Sequence, residues 1–428
     1  MGKPIKIVIV NESFSNPIFY RRWELFAQKY KDVDLTLLTP SKEVRKITPD
    51  SFGKEVVNIG QTIEKDNFHI KLYTQKLLGS LGYLSPDFKT LLVEIKPDIV
   101  YNIGAHNQPS LYQLIYLTKK YLPDTKIMSF SMRGPNYDII HFKEKCSPIS
   151  RYLKRRLFYY YYAKIGLNYF NKNCDAVFCH YPDAMNCFIK EGYNGPIYMQ
   201  TQVGVNPELF HEDKHAREEI RSKYGVDDNT FLFGSATRFT KEKGLDVIIK
   251  ALPKEGNYKF LMMGAGTDEN TQWVKGMIEE YELTDKIILP GFIQLQEMPK
   301  YWNAIDCMVH VPTTTFSWVE TFSIALVQAM ITGKPVIGND SGSVPYQIGP
   351  EGIIVKEGDI LSLNEKMKWI LNNQDKVLEI GEKMFKRANN CFSILHLNDL
   401  FYKTIKEDIM TDSYDKQKSD MAHFRTEQ

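Results

Sequence analysis

Four side chains in the second half of the chain have types and spacing suited to an anionic, hydroxyl-bearing ligand. Arg238 and Lys243 stand five residues apart in Ser235-Ala236-Thr237-Arg238-Phe239-Thr240-Lys241-Glu242-Lys243-Gly244, a turn between an apolar run and a helical pattern. Two cations beside a helix start suit a diphosphate, and also the negative charge that a diphosphate gains as it departs. The same charges also fit a solvated surface loop. Glu320 and Gln328 stand eight apart in the stretch 317–340, read S-W-V-E-T-F-S-I-A-L-V-Q-A-M-I-T-G-K-P-V-I-G-N-D. Phe322, Ala325, Leu326, Ala329 and Met330 recur at helical spacing, so the pattern predicts a helix entered at Glu320 and stopped at Gly333. A helix start attracts anions, and eight residues rise about 12 Å. That length suits a nucleotide-sugar, with sugar hydroxyls near Glu320, diphosphate over the helix start and ribose near Gln328. An ordinary amphipathic helix with one incidental glutamine fits the pattern as well.

The elements that must position these groups follow from hydrophobic periodicity. Strand-like runs at 5–10, 35–39, 99–103, 127–130, 176–179 and 197–199 alternate with helical patterns at 17–30, 86–95, 111–121, 151–170 and 182–191. Buried strands separated by amphipathic helices predict a doubly wound parallel α/β sheet. The pattern breaks near residue 210, which reads as a linker and is followed by a charged stretch, 211–224, that carries little apolar material. It resumes with strands at 231–234, 260–264, 287–290, 307–311, 336–338 and 353–355, separated by helical patterns. The expectation is α/β with two Rossmann-like domains facing across a cleft. The first covers 1–205 and the second 206–394. A helix over 395–410 packs back on the first, and a polar tail, 411–428, has too little apolar material to order.

Composition removes several function classes. A net charge of +2 over 428 residues gives no global attraction to nucleic acid. Cys146, Cys174, Cys179, Cys187, Cys307 and Cys391 form no C-x-x-C pair, which reads as reduced thiols of a cytoplasmic protein and predicts no metal site. No apolar run reaches the roughly 18 residues that span a bilayer. The N-terminal run is too short for a signal peptide, and Lys6 breaks a myristoylation motif.

Arg238 with Lys243-Gly244, Glu320 followed by Gln328, and Gly333-Lys334-Pro335-Val336-Ile337 are similar in order and spacing to the retaining glycosyltransferases of family 4, the glycogen-synthase-like and bacterial mannosyltransferase type. The resemblance extends over most of the chain, including Gly204-Val205-Asn206-Pro207-Glu208-Leu209-Phe210 and Gly352-Ile353-Ile354-Val355. It implies a GT-B architecture, a UDP- or GDP-sugar donor, no cofactor, no metal and retention of configuration. By that resemblance Arg238 and Lys243 hold the diphosphate, Glu320 binds donor-sugar hydroxyls, and backbone N–H groups around Thr321, Phe322, Ser323 and Ile324 assist the phosphates. Gln328 stands where the family usually has a glutamate for the ribose; it keeps an acceptor and loses the charge. Gly264 and Phe292 fall at strand ends that hold the nucleobase. His106 falls where the family has a histidine facing the sugars, with the proton of the acceptor hydroxyl passing to the departing phosphate.

The first half departs most from the family. Asn11-Glu12-Ser13-Phe14-Ser15-Asn16 replaces a glycine turn, so Ser13 and Asn16 become acceptor-side candidates through their side chains, together with Arg133. Arg21 and Arg22 are further cations, facing either the cleft or solvent. The segment 151–170, from Arg151 to Phe170, is rich in arginine, lysine and tyrosine without an acid. It fits contact with an anionic membrane surface, and equally a helix resting its tyrosines on the sheet. The combined expectation is an enzyme that moves a hexose from a nucleotide-sugar to a glycan or lipid-linked glycan, cytoplasmic or peripheral on the inner membrane face. A non-catalytic sugar-nucleotide-binding subunit and a nucleotide-sugar epimerase are the alternatives.

Overall fold

The computed structural model describes residues 3–45, 56–78, 82–104, 108–131, 165–315 and 318–411. They divide into two compact units. One takes the chain up to residue 202 and again from 398; the other is Val203–Leu397.

The first unit is built on one sheet of eight strands: β1 (Ile5–Val10), β2 (Val33–Pro40), β3 (Ile63–Lys65), β4 (Phe68–Tyr73), β5 (Ile99–Ile103), β6 (Lys126–Ser131), β7 (Ala176–Cys179) and β8 (Ile197–Met199). Their order is β8-β7-β6-β5-β1-β2-β4-β3, parallel throughout except for β3, which runs antiparallel on β4. Continuous apolar runs such as Ile7-Val8-Ile9 are buried on both faces, as a helix-covered parallel sheet requires. Helices α1 (Pro17–Lys29), α2 (Phe88–Ile95), α3 (Pro109–Tyr121), α4 (Asn168–Asn173) and α5 (Pro182–Lys190) connect the strands. Strand β4 escaped the sequence reading because His69 and Lys71 interrupt its apolar residues, leaving no continuous run.

The second unit has a six-stranded, fully parallel sheet of β9 (Phe231–Ala236), β10 (Tyr258–Met263), β11 (Ile287–Gly291), β12 (Cys307–His310), β13 (Val336–Asn339) and β14 (Ile353–Val355). The order β11-β10-β9-β12-β13-β14 is the 3-2-1-4-5-6 arrangement of a Rossmann sheet. Its helices are α6 (Lys214–Lys223), α7 (Leu245–Ala251), α8 (Asp268–Glu280), α9 (Met298–Ala304), α10 (Ile324–Ile331), α11 (Val344–Ile348), α12 (Ile360–Leu371) and α13 (Gln374–Phe392).

The charged stretch that follows residue 210 contains α6, capped by Asp213, whose side chain accepts from the Ala216 N–H. Its two arginines are not solvated but consumed. Arg217 donates to Asp306 at 2.6 Å and to the carbonyls of Asn303, Ala304 and Ile305, while Arg221 donates to Asp306 and to the carbonyls of Asp227 and Thr230. Those arginines satisfy the open carbonyls at the end of α9, a role that hydrophobic patterning cannot reveal. One expectation about this unit is corrected, that of the helix entered at Glu320. It begins at Ile324, with Ser323 as its cap, so Glu320 lies in the loop before it.

After α13 the chain runs into α14 (Ile394–Thr404). Phe401 is fully buried and packs edge-on against Trp23 and Phe26, with ring centroids at 5.2 and 5.6 Å. Burial of such a ring contributes roughly 1.5–3 kcal/mol. Arg22 lies in the same layer rather than facing open space. It is buried and donates to Asn398 Oδ1, the Thr201 carbonyl and Gln202 Oε1, and burial lowers its guanidinium to about 10. Arg21, half exposed, pairs with the buried Glu24. No described helix is long and apolar enough to cross a membrane.

The loop after β9 depends on one glycine. Gly244 has φ +67°, and a Cβ there would fall 1.9 Å from the Val311 carbonyl oxygen, on the loop after β12. Gly244→Ala should cost about 3 kcal/mol, lowering the melting temperature of this unit by about 6–12 °C. An unchanged calorimetric transition would count against this close approach.

Candidate active site

In a sheet of this order, ligands bind outside the carboxyl ends of the strands where the winding reverses. Here that point lies between β9 and β12. The loop after β9 carries Arg238 and Lys243, and the loop after β12 carries Trp318 and Glu320 before α10 begins.

Lys243 and Glu320 are brought together. Lys243 Nζ donates to Glu320 Oε2 at 2.6 Å, with the two side chains only 12% and 7% exposed. His310, at the end of β12, places its buried Nε2 3.5 Å from the same oxygen without completing a hydrogen bond. The Trp318 ring lies under the ammonium, 4.3 Å from Nζ to the centroid, a cation–π contact. Burial alone would push the Glu320 carboxyl up; contact with His310 and the Lys243 charge outweigh it and bring it down to about 2. Glu320 is therefore an ionised acceptor at neutral pH, with its geometry fixed from one side. Lys243 keeps further N–H donors for an oxyanion.

A recess of about 260 Å³ opens within the second unit, on the loops that follow β9, β10 and β11 and on α10. Met263, Phe292, Leu295 and Met298 give it apolar walls, and Thr237, Arg238, Gly264, Ile324 and Gln328 also line it. Apolar walls with a few polar groups suit a ring that carries polar substituents. Among the described residues Arg238 has no hydrogen-bonding or ion-pair partner for its guanidinium. Gln328 is buried, and its Oε1 accepts from Trp302 Nε1 at 3.1 Å.

The remaining sequence-predicted positions divide clearly. Gly264, Phe292, Ile324, Gln328 and Arg238 share the recess, while Lys243 and Glu320 form the pair. Ser323 does not offer its N–H to a phosphate: that group donates to Gln347 Oε1 at 2.8 Å, and Ser323 Oγ caps α10 at Leu326. Phe322 packs edge-on against Phe392, and Thr321 sits half-buried in the loop. Ser13 and Asn16 lie in a 3-10 turn after β1 in the first unit, where the Ser13 N–H donates to Asn11 Oδ1 and the Asn16 N–H to the Ser13 carbonyl. His106, Arg133 and residues 151–164 lie outside the described residues. Among the described residues no group of three His, Cys, Asp or Glu could hold a metal ion.

Sequence reading missed His310, Trp318 and Trp302. Trp318 stands two residues before Glu320, so an aromatic beside the acid was visible. His310 and Trp302 carried no signal, because a strand-end histidine and a helical tryptophan are ordinary core residues.

Residues 216–387 match the family model of glycosyl transferases group 1. Over 190 residues the chain is 28% identical to the GDP-mannose-dependent monoacylated alpha-(1-6)-phosphatidylinositol monomannoside mannosyltransferase of Corynebacterium glutamicum, covering 42% of this chain and 48% of that one. The chain spans about a third to a half of the length of the curated relatives it matches. Its fold is that of GT-B glycosyltransferases. A glycosyltransferase from Rickettsia africae superposes with a TM-score of 0.68 at 18% identity, over 95% of this chain and all of that one. The Anabaena protein HepE in complex with UDP gives 0.66 at 18% identity, over 94% and 99%.

The buried pair has a pH signature. A carboxyl held at about 2 in the folded state, against an ordinary value of 4.5, adds stability that is present above the unfolded value and lost as pH falls toward 2. Lys243→Met should cost about 3 kcal/mol at pH 7, because it removes the counter-charge of a buried carboxylate. The difference in melting temperature between wild type and variant should shrink between pH 5 and pH 2; a constant difference would deny that the ionised pair is the source.

Proposed function

We propose that this chain, a GT-B-fold protein whose residues 216–387 match the glycosyl transferases group 1 family, transfers a hexose from a UDP- or GDP-sugar to a glycan or lipid-linked glycan with retention of configuration. The observation that carries the proposal is Arg238, whose guanidinium has no partner among the described residues, on an apolar recess at the winding reversal of a Rossmann sheet, where the loops after β9 and β12 also hold the buried Lys243–Glu320 pair. The nucleobase occupies the recess between Met263, Phe292, Leu295 and Met298. The diphosphate meets Arg238, the free donors of Lys243 and the first N–H groups of α10. Glu320 accepts from hydroxyls of the transferred sugar.

In this mechanism the bond between the anomeric carbon and the diphosphate oxygen breaks with its electron pair staying on the oxygen. Arg238 and Lys243 stabilise that growing charge, so the transition state gains more than the bound donor does. The acceptor hydroxyl attacks the anomeric carbon on the face the diphosphate leaves, and its proton passes to the departing phosphate oxygen. Two protein cations supply the positive charge, so turnover is expected to survive EDTA. The relative that acts on a phosphatidylinositol mannoside supports a lipid-borne acceptor, as does the UDP bound by HepE for the donor.

The test is calorimetric binding of UDP, GDP and ADP. One of the first two should bind, and Arg238→Ala should weaken it roughly thirtyfold, equivalent to about 2 kcal/mol for a charge-assisted contact, while leaving uridine or guanosine unaffected. Equal affinity of wild type and variant would sink the diphosphate assignment. Lys243→Ala should lower turnover about 10²–10³-fold, measured as nucleoside diphosphate released.

A further inference from the structure

The hydrogen bond between Trp302 and Gln328 fixes which end of the glutamine faces the recess. An indole N–H can only donate, so the atom it meets at 3.1 Å must be the amide oxygen. The alternative amide orientation would set N–H against N–H. Trp302 is itself fully buried on α9, and Gln328 is buried on α10, so neither side chain is free to swing away. The Gln328 amide nitrogen takes no hydrogen bond among the described residues, yet it is not sealed from solvent. Gln328 is among the residues that line the recess, and with its oxygen held by Trp302 the nitrogen is the polar end left to serve it.

We propose that Trp302 is a positioning residue that locks Gln328 with its N–H pair toward the ligand, so that this site reads a ribose oxygen as an acceptor and makes no use of the hydroxyl proton. The inference rests on the nucleoside end of the donor lying in the recess, as proposed above. A carboxylate at the same place would do the reverse, accepting from ribose hydroxyls and offering no proton. The Trp302–Gln328 pair thus changes the polarity of ribose recognition rather than only removing a charge. The ligand needs a lone pair at that oxygen, and its hydroxyl hydrogen is free to turn elsewhere. O-methylation keeps the lone pair and removes the proton, so it separates the two modes.

The experiment measures dissociation constants of UDP and GDP for the full chain, then of the 2′-O-methyl and 3′-O-methyl forms of whichever binds tighter. The quantity read is the ratio of O-methyl to parent dissociation constants, in wild type and in Gln328→Glu, which keeps an acceptor for Trp302. The steric effect of the methyl group is common to both proteins. At one of the two positions the ratio should be at least about tenfold larger in Gln328→Glu than in wild type, the size expected for one lost hydrogen bond to a charged group. Trp302→Phe, with its folding checked by its melting curve, should also raise the ratio, because the amide is then free to turn its oxygen to the ligand. Equal ratios in wild type and Gln328→Glu, with parent binding intact, would overturn the lock alone. Absence of UDP and GDP binding to wild type would overturn the functional reading, and the lock with it.

Discussion

A buried ammonium–carboxylate contact, Lys243 on Glu320 at 2.6 Å, joins the loop after β9 to the loop after β12, and the rest of the site depends on it. Removing both charges from water costs several kcal/mol per ion, and their attraction offsets this only when the geometry is held closely. Both loops are therefore pinned at the backbone. Gly244 follows Lys243 directly and rests on the Val311 carbonyl, where no side chain fits. On the other side Gly342, at φ +53°, lets the Ser341–Ser343 turn approach the Glu320 carbonyl, which accepts from the Ser343 N–H at 2.8 Å. A Cβ at Gly342 would stand 2.1 Å from that oxygen. The pair is thus held from β13 as well as from β9 and β12.

The strand order explains why these loops meet at all. In the order β11-β10-β9-β12-β13-β14 the chain winds one way from β9 and then crosses to β12, so the loops leaving β9 and β12 diverge and leave a crevice between them. Parallel strands put every carboxyl end on one side, and the residues needed for a ligand can then come from distant parts of the sequence. Arg238 and Gln328 are 90 positions apart and still line one recess. Fold and site are tied by the same crossover.

Much of the fold class was legible because its buried strands are continuous apolar runs. Phe231 to Ala236 and Val336 to Asn339 needed no partner to be read as strands. What escaped reading depended on tertiary partners. Glu320 looks helical because Phe322, Ala325 and Leu326 continue the period back toward it, yet Gln347 takes the Ser323 N–H and carbonyl and fixes the helix start at Ile324. The cations of α6 look solvated until Asp306 and the end of α9 are placed against them. Lys243 and Arg238 were legible as cations near a strand end, but nothing in their spacing says that one is buried on Glu320 and the other left open. His310, Trp318 and Trp302 act only through residues that are remote in sequence or indistinct from core, so chemistry-bearing spacing could not single them out.

The division of charge across the site gives its polarity a reason. Arg238 and Lys243 against Glu320 leave one net positive charge, which on the proposed reading meets the anionic diphosphate. A second carboxylate at position 328 would cancel that charge from the far side of the recess, through apolar walls that screen poorly. Gln328 avoids the cancellation, but a buried amide must have its oxygen satisfied if it is not to cost stability. Trp302 supplies that donor from α9, so the neutral residue is tolerated in the core and its remaining donors face the opening. The loss of a charge at one end of the recess and the placement of a tryptophan behind it are two halves of one arrangement, which on the proposed reading sets a positive field against the anionic end of the ligand and a neutral, oriented donor against its nucleoside end.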